Sequence, residues 1–159
     1  MIEIALSFAG KEQTAASPMA NHGKEPDMSI EANKRLSRRI VEEMWNTRNL
    51  NVVDEIYSPE FGGGHAAARQ FVAGSLAAFP DLEIAIQDQI AEDDLVVTRY
   101  VMRGTHQGQF ANFPPTGKSF KVTGIEMHRF ADGKLIQLWN VPDLLGLLQQ
   151  LGIVPTGQG

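Results

Sequence analysis

The stretch "FKVTGIEMHRFADGKLIQLWNVPD", Phe120 to Asp143, decides the fold. In its first eleven residues Val122, Gly124, Glu126, His128 and Phe130 fall on one side of an extended chain. Lys121, Thr123 and Arg129 fall on the other. Such period-two alternation marks a half-buried β-strand. "ADGK" then supplies the Asp-Gly pair of a tight hairpin, and "LIQLWNV" the returning strand. Pro142 and Asp143 end that strand, and an apolar helix follows from about Leu144 to Leu151.

Upstream, "LVVTRYVMRGTH" (95–106) reads as a strand, and Leu82, Ile84 and Ile86 alternate in another. "EDD" turns the chain between them, and "GQFANFPPTGKS" is a long loop. Before residue 80 the period becomes helical. Leu36, Ile40, Val41, Met44 and Trp45 share one face, while Arg35, Arg38, Arg39, Glu42 and Glu43 take the other. "NLNVVDEIYSPEF" gives a second helix ended by Pro59, "GGGH" breaks the chain, and a third helix spans about Ala66 to Phe79. Helices followed by an antiparallel meander define an α+β fold. A curved sheet wrapped on one face by helices leaves room for a small ligand between the layers.

The 159 residues fit one domain at 29–152, with a flexible extension expected at 1–28 and a tail at 153–159. Alternation of Ile2, Ile4, Leu6 and Phe8 leaves an added edge strand as the other reading of the start. A net charge of −5 and the lack of a Lys/Arg stripe argue against a nucleic-acid surface. No apolar run has membrane-spanning length, and Glu3 stands where a signal peptide carries positive charge, so the expected location is cytoplasmic. The absence of cysteine removes thiolate nucleophiles and cysteine metal sites. The four histidines lack metal-ligand spacing, and no phosphate-binding loop is present, so no cofactor is expected.

"AAFPDLE" (77–83), "GTHQGQF" (104–110), "PPTGK" (114–118), "RFADGKL" (129–135) and the closing "W…D..GLL.QLG" occur in an order that resembles the SnoaL-like polyketide cyclases, or ester cyclases. These belong to the nuclear transport factor 2-like superfamily. The resemblance covers about residues 29 to 152 and implies a cone-shaped curved antiparallel sheet wrapped by N-terminal helices, with a short C-terminal helix. It also implies cofactor-free acid/base chemistry, with an aspartate at the start of the last helix and a histidine on the preceding strand. Asp143 and His128 match those places.

Each candidate has a structural reading beside the functional one. Asp143 is equally an N-cap, a role Asp fills well. With strands three and four paired through "ADGK", Glu126 and His128 are expected to share a pocket face with Trp139, Val141 and Asp143. Tyr100 and His106 either line that pocket or serve packing and a loop hydrogen bond, and Met44 and Trp45 either cover its mouth or fill the core. The favoured function is a cyclase abstracting a proton next to a carbonyl of a hydrophobic small molecule, with Asp143 as base. A non-catalytic binding module is the rival. An epoxide hydrolase is disfavoured because Val101 and Val141 stand where acids are required beside Arg99. Val97, Val101 and Ile125 on the opposite sheet face suggest a homodimer or tetramer.

Overall fold

The computed structural model describes residues 26–156. The extension expected at 1–28, with its possible edge strand, lies outside these residues except at its end, where the first helix already begins at Pro26. Helix α1, Pro26–Arg39, runs directly into a wider π-type segment, Ile40–Asn46, that buries Ile40, Val41 and Met44. Helix α2 is Asn51–Ile56. A short turn at Phe61–Gly63 follows, with Gly62, Gly63 and Gly64 all at positive φ. Here glycine permits a reversal that side chains resist. Helix α3 is Gly64–Ala78.

Four strands complete the fold in the order β1-β2-β3-β4, every pair antiparallel. They are β1 Glu83–Glu92, β2 Leu95–Thr105, β3 Ser119–Ala131 and β4 Lys134–Pro142, closed by helix α4, Leu144–Gln150. The α+β class and the short C-terminal helix agree with the sequence. Strand β1 is longer than its apolar alternation, because its second half pairs fully with β2.

The inner face of β3 divides into three zones. Phe120 and Val122 join one apolar cluster with Ala78, Phe79, Leu82, Leu147 and Leu151. Phe130 joins another with Ile40, Met44, Val52, Val53, Ile56, Val72, Val96 and Leu135. Between them lie Gly124, Glu126 and His128. Trp45 and Leu76 pack against both clusters, so the helices close over the central zone from two sides.

Two strand irregularities set which residues face inward. In β4, Phe130 pairs with Leu135 but Arg129 pairs with Gln137, so Ile136 is an extra residue. Beyond this bulge Glu126 lies opposite Asn140 and His128 opposite Leu138. Trp139 and Val141 pair with Met127 and Ile125 on the outer face. This corrects the expectation that they share a face with Glu126 and His128. A single added residue inverts the orientation of every side chain beyond it. In β1 the register shifts between Ile86 and Asp88, leaving Gln87 extra and bringing Gln89, rather than Asp88, opposite inward-facing Thr98.

Gly124 is demanded by close approach. A Cβ there would collide with the ring and hydroxyl of Tyr100, which crosses over it from β2. Gly124→Ala should displace that ring and destabilise the fold by about 1–3 kcal/mol, the usual range for overpacking, as read by urea denaturation.

Candidate active site

Among the described residues, five polar or charged side chains are buried: Ser37, Thr98, His106, Glu126 and His128. Four of them converge. Thr98 on β2 and Glu126 on β3 are directly paired. His128, two residues along on the same face, is fully buried and contacts Ser37 of α1, with Nδ1 2.9 Å from Ser37 Oγ. Its other nitrogen, Nε2, faces Glu126 Oε1 at 3.6 Å, just beyond hydrogen-bond length. Neither atom has a hydrogen-bond partner among the described residues. A buried acid and imidazole kept this close are costly to the fold, and such pairs mark sites that use their polarity.

Two tyrosines and an amide frame the pair. Tyr100 donates its hydroxyl to Asn140 Oδ1 at 2.7 Å, and Asn140 lies directly across from Glu126. Burial, and secondarily the Glu126 charge, pushes the Tyr57 hydroxyl above the ordinary tyrosine value. The same two causes raise Tyr100, with the Asn140 hydrogen bond opposing them. Both rings are therefore neutral donors at physiological pH, close enough to Glu126 to sense its charge.

The other sequence candidates take different places. Asp143 is exposed, and its Oδ1 accepts from Gly146 N at 2.8 Å, capping α4. His106 is fully buried, but among Phe79 and Phe110, with Thr116 N donating to its Nδ1 at 3.3 Å; it belongs to the cluster below the polar zone. Met44 is fully buried core. Trp45 is half-buried, edge-on to Phe71 at 6.2 Å. Trp139 lies on the outer face beneath the Arg129 guanidinium, 5.4 Å from its ring centre. His65 ties α3 to α2 through Tyr57 O and Asp54. Phe110 and Phe113 bridge one another and are half-buried, Phe110 packing on Phe79.

Sequence reasoning missed Ser37, Gln89 and Asn140. Ser37 had a readable signal, since it lies three and four residues before Ile40 and Val41 on the buried helix face. Asn140 and Gln89 had none, because a bulge sets the facing of each.

The fold and this polar centre define an α+β small-molecule domain of the nuclear transport factor 2-like type, with a carboxylate and an imidazole enclosed between sheet and helices. A family model described as SnoaL-like polyketide cyclase matches residues 35–151. The chain is similar to nogalonic acid methyl ester cyclase of Streptomyces nogalater, at 29% identity over 119 residues, 68% of this chain and 89% of that protein. Among solved structures it is similar to AclR, a proposed hydroxylase of Streptomyces galilaeus, at 31% identity and TM-score 0.71, covering 81% of this chain and 86% of AclR. It is also similar to a proposed SnoaL-like polyketide cyclase of Jannaschia sp. CCS1, at 25% identity and TM-score 0.75, covering 84% and 100%. The chain belongs to the SnoaL-like polyketide cyclase family. Among the described residues, no three His, Asp or Glu side chains converge as a metal site, and no helix is long and apolar enough to cross a membrane.

The tyrosines give a pH test. The two in the sequence, Tyr57 and Tyr100, both bind their protons more tightly folded than at the ordinary value of 10.0. Their contribution is fully present below pH 10 and is lost as pH rises from there toward the raised folded values. Urea denaturation across alkaline pH should show stability falling. In Tyr57→Phe the fall should be shallower by up to about 1.4 kcal/mol per pH unit.

Proposed function

We propose that this protein is a cytoplasmic cyclase that closes a ring of a polyketide-derived methyl ester by intramolecular aldol condensation, with Glu126 as its base. The observation that carries this reading is burial. Glu126 is the only carboxylate among the buried polar residues described, and its Oε1 carries a lone pair without a protein donor. A base must reach the proton it takes from within an enclosed site. Asp143, the expected base, is exposed and its carboxylate is engaged as a cap.

In the proposed reaction Glu126 removes a proton from the carbon next to a carbonyl. The resulting enolate carbon attacks a second carbonyl carbon in the same molecule, forming the ring bond. The alkoxide left on that second carbonyl then takes the proton back from Glu126, so atoms and charge balance with no co-reactant. His128 supplies a hydrogen-bond donor to an oxygen that gains negative charge, where preorganised donors are most effective. The apolar residues either side, Trp45 and Leu76 among them, suit an aromatic or polyketide skeleton.

Glu126→Gln keeps the shape and removes the base. Turnover of nogalonic acid methyl ester, the ester named for the S. nogalater relative, should fall at least about 100-fold. Asp143→Asn should keep turnover within about twofold, because asparagine caps a helix as well as aspartate does. Full activity in Glu126→Gln, or its loss in Asp143→Asn, defeats the assignment. Binding of the ester by the native protein without turnover would leave a ligand-binding module instead.

The outer sheet face supports a homodimer. Ile90, Ile125 and Val141 are 68%, 51% and 72% exposed there, beside half-buried Val97, Val101 and Trp139. Pairing two such faces would cover them. Light scattering coupled to size-exclusion chromatography should give twice the 17.5 kDa chain mass, and Val141→Glu should return it to a monomer.

A further inference from the structure

His128 is approached from the surface by a hydrogen-bond chain whose direction is fixed at its outer end. Arg38 Nε donates to Gln89 Oε1 at 3.0 Å. A guanidinium has donors and no acceptor, so the Gln89 oxygen must face it. The amide Nε2 then points inward and donates to Thr98 Oγ1 at 3.2 Å. With its oxygen accepting, the Thr98 hydroxyl has its own proton to place, and Ser37 Oγ lies 3.4 Å away. Ser37 in turn lies 2.9 Å from His128 Nδ1. Passing each proton inward makes Nδ1 an acceptor and puts the ring proton on Nε2, the atom facing Glu126 Oε1.

The opposite polarity is worse on two counts. With Nδ1–H donating to Ser37 and Ser37 donating to Thr98, the Thr98 oxygen receives two donors and its own proton loses its acceptor. It also sets the bare Nε2 lone pair against a carboxylate oxygen inside a buried site, where unpaired polar groups are most costly.

We propose that Ser37, Thr98 and Gln89 are positioning residues that hold His128 as the neutral Nε2–H tautomer, so that the imidazole always presents a donor beside Glu126. What that donor does rests on the reading of Glu126 as the base. As Glu126 takes up the substrate proton and loses its charge, the Nε2–H becomes free to bond the enolate oxygen forming nearby. The other tautomer presents a lone pair at that place and opposes the step. The chain draws one residue or more from each of α1, β1, β2 and β3, so the packing of the helix on the sheet sets the tautomer.

The test reads the tautomer directly. Two-bond proton–nitrogen correlation spectra of protein labelled with nitrogen-15 histidine distinguish Nδ1–H, Nε2–H and imidazolium, with His128 assigned by the loss of its signals in His128→Gln. Near neutral pH the native protein should show the Nε2–H pattern. Ser37→Ala should convert it to a mixture or to Nδ1–H and lower kcat at least about tenfold, with KM little changed, as a misoriented tautomer does in other imidazole sites. Ser37→Thr keeps the hydroxyl and should restore both. Gln89→Leu, on the edge strand, should shift the tautomer in the same direction and serves if Ser37→Ala folds poorly. An Nδ1–H or imidazolium pattern in the native protein overturns the proposal, as does an Nε2–H pattern that survives both Ser37→Ala and Gln89→Leu. The spectra need no turnover. Full activity in Glu126→Gln would therefore remove the role given to the donor while leaving the tautomer assignment to stand on its own result.

Discussion

Two extra residues, Gln87 in β1 and Ile136 in β4, set the composition of the inner sheet face. Strand pairing admits only two facings, so one inserted residue exchanges the inward and outward sets beyond it. Without the β1 bulge, Asp88 would point at Thr98 and bring a second carboxylate toward Glu126. With it, Asp88 lies outside, where Arg99 Nε donates to it at 2.6 Å, and the neutral Gln89 takes the inner place. Without the β4 bulge, Trp139 would stand opposite Glu126 and fill the space that Asn140 now leaves open. Bulges are enriched beside functional sites because they re-aim side chains in this way.

The same feature separates what was legible in the sequence from what was not. The alternation in β3 placed Glu126, His128 and Phe130 on one buried face, because β3 is central and pairs evenly with β2 along its length. The Asp-Gly hairpin, the helical stripe through Ile40 and Met44, and the cap at Asp143 rest on local chemistry and were readable for that reason. The facing of Trp139 and Val141 was not. "LIQLWNV" alternates equally well in either register, and the register with Ile136 out of step is the one that sets Leu135 beside Phe130 and in a strand bridge with Tyr57. Reading β4 without its bulge is what put Trp139 in the expected pocket and left Asn140 out of it.

The polar centre is tolerable because its neighbours carry the stability. Glu126 and His128 lie between two apolar clusters that account for most of the buried side chains. Burying a carboxylate and an imidazole without full hydrogen bonding costs the fold free energy. The clusters on either side, bridged by Trp45 and Leu76, offset that cost. The π-type segment fits the same arrangement. It begins at Ile40, separated from Ser37 and Arg38 only by Arg39, and it carries the chain from the residues that reach His128 and Gln89 to Met44 in one core and Trp45 between both. Wide turns of this kind often accompany functional positions in helices.

Asn140 bears on the chemistry most directly. It pairs with Glu126 from the edge strand β4 across to β3. An acid at that position would set two carboxylates face to face, and like charges directly opposed would leave one protonated and the pair sharing a single ionisation. The amide avoids this. Its oxygen accepts from Tyr100, which fixes that ring over Gly124, and its presence leaves Glu126 as the only acid on the inner sheet face among the described residues. A site with one acid has one group both to take a proton and to return it. That suits a ring closure in which the substrate proton is borrowed for one step and given back in the next. It suits poorly a hydrolysis in which separate acids must activate water and protonate a leaving oxygen.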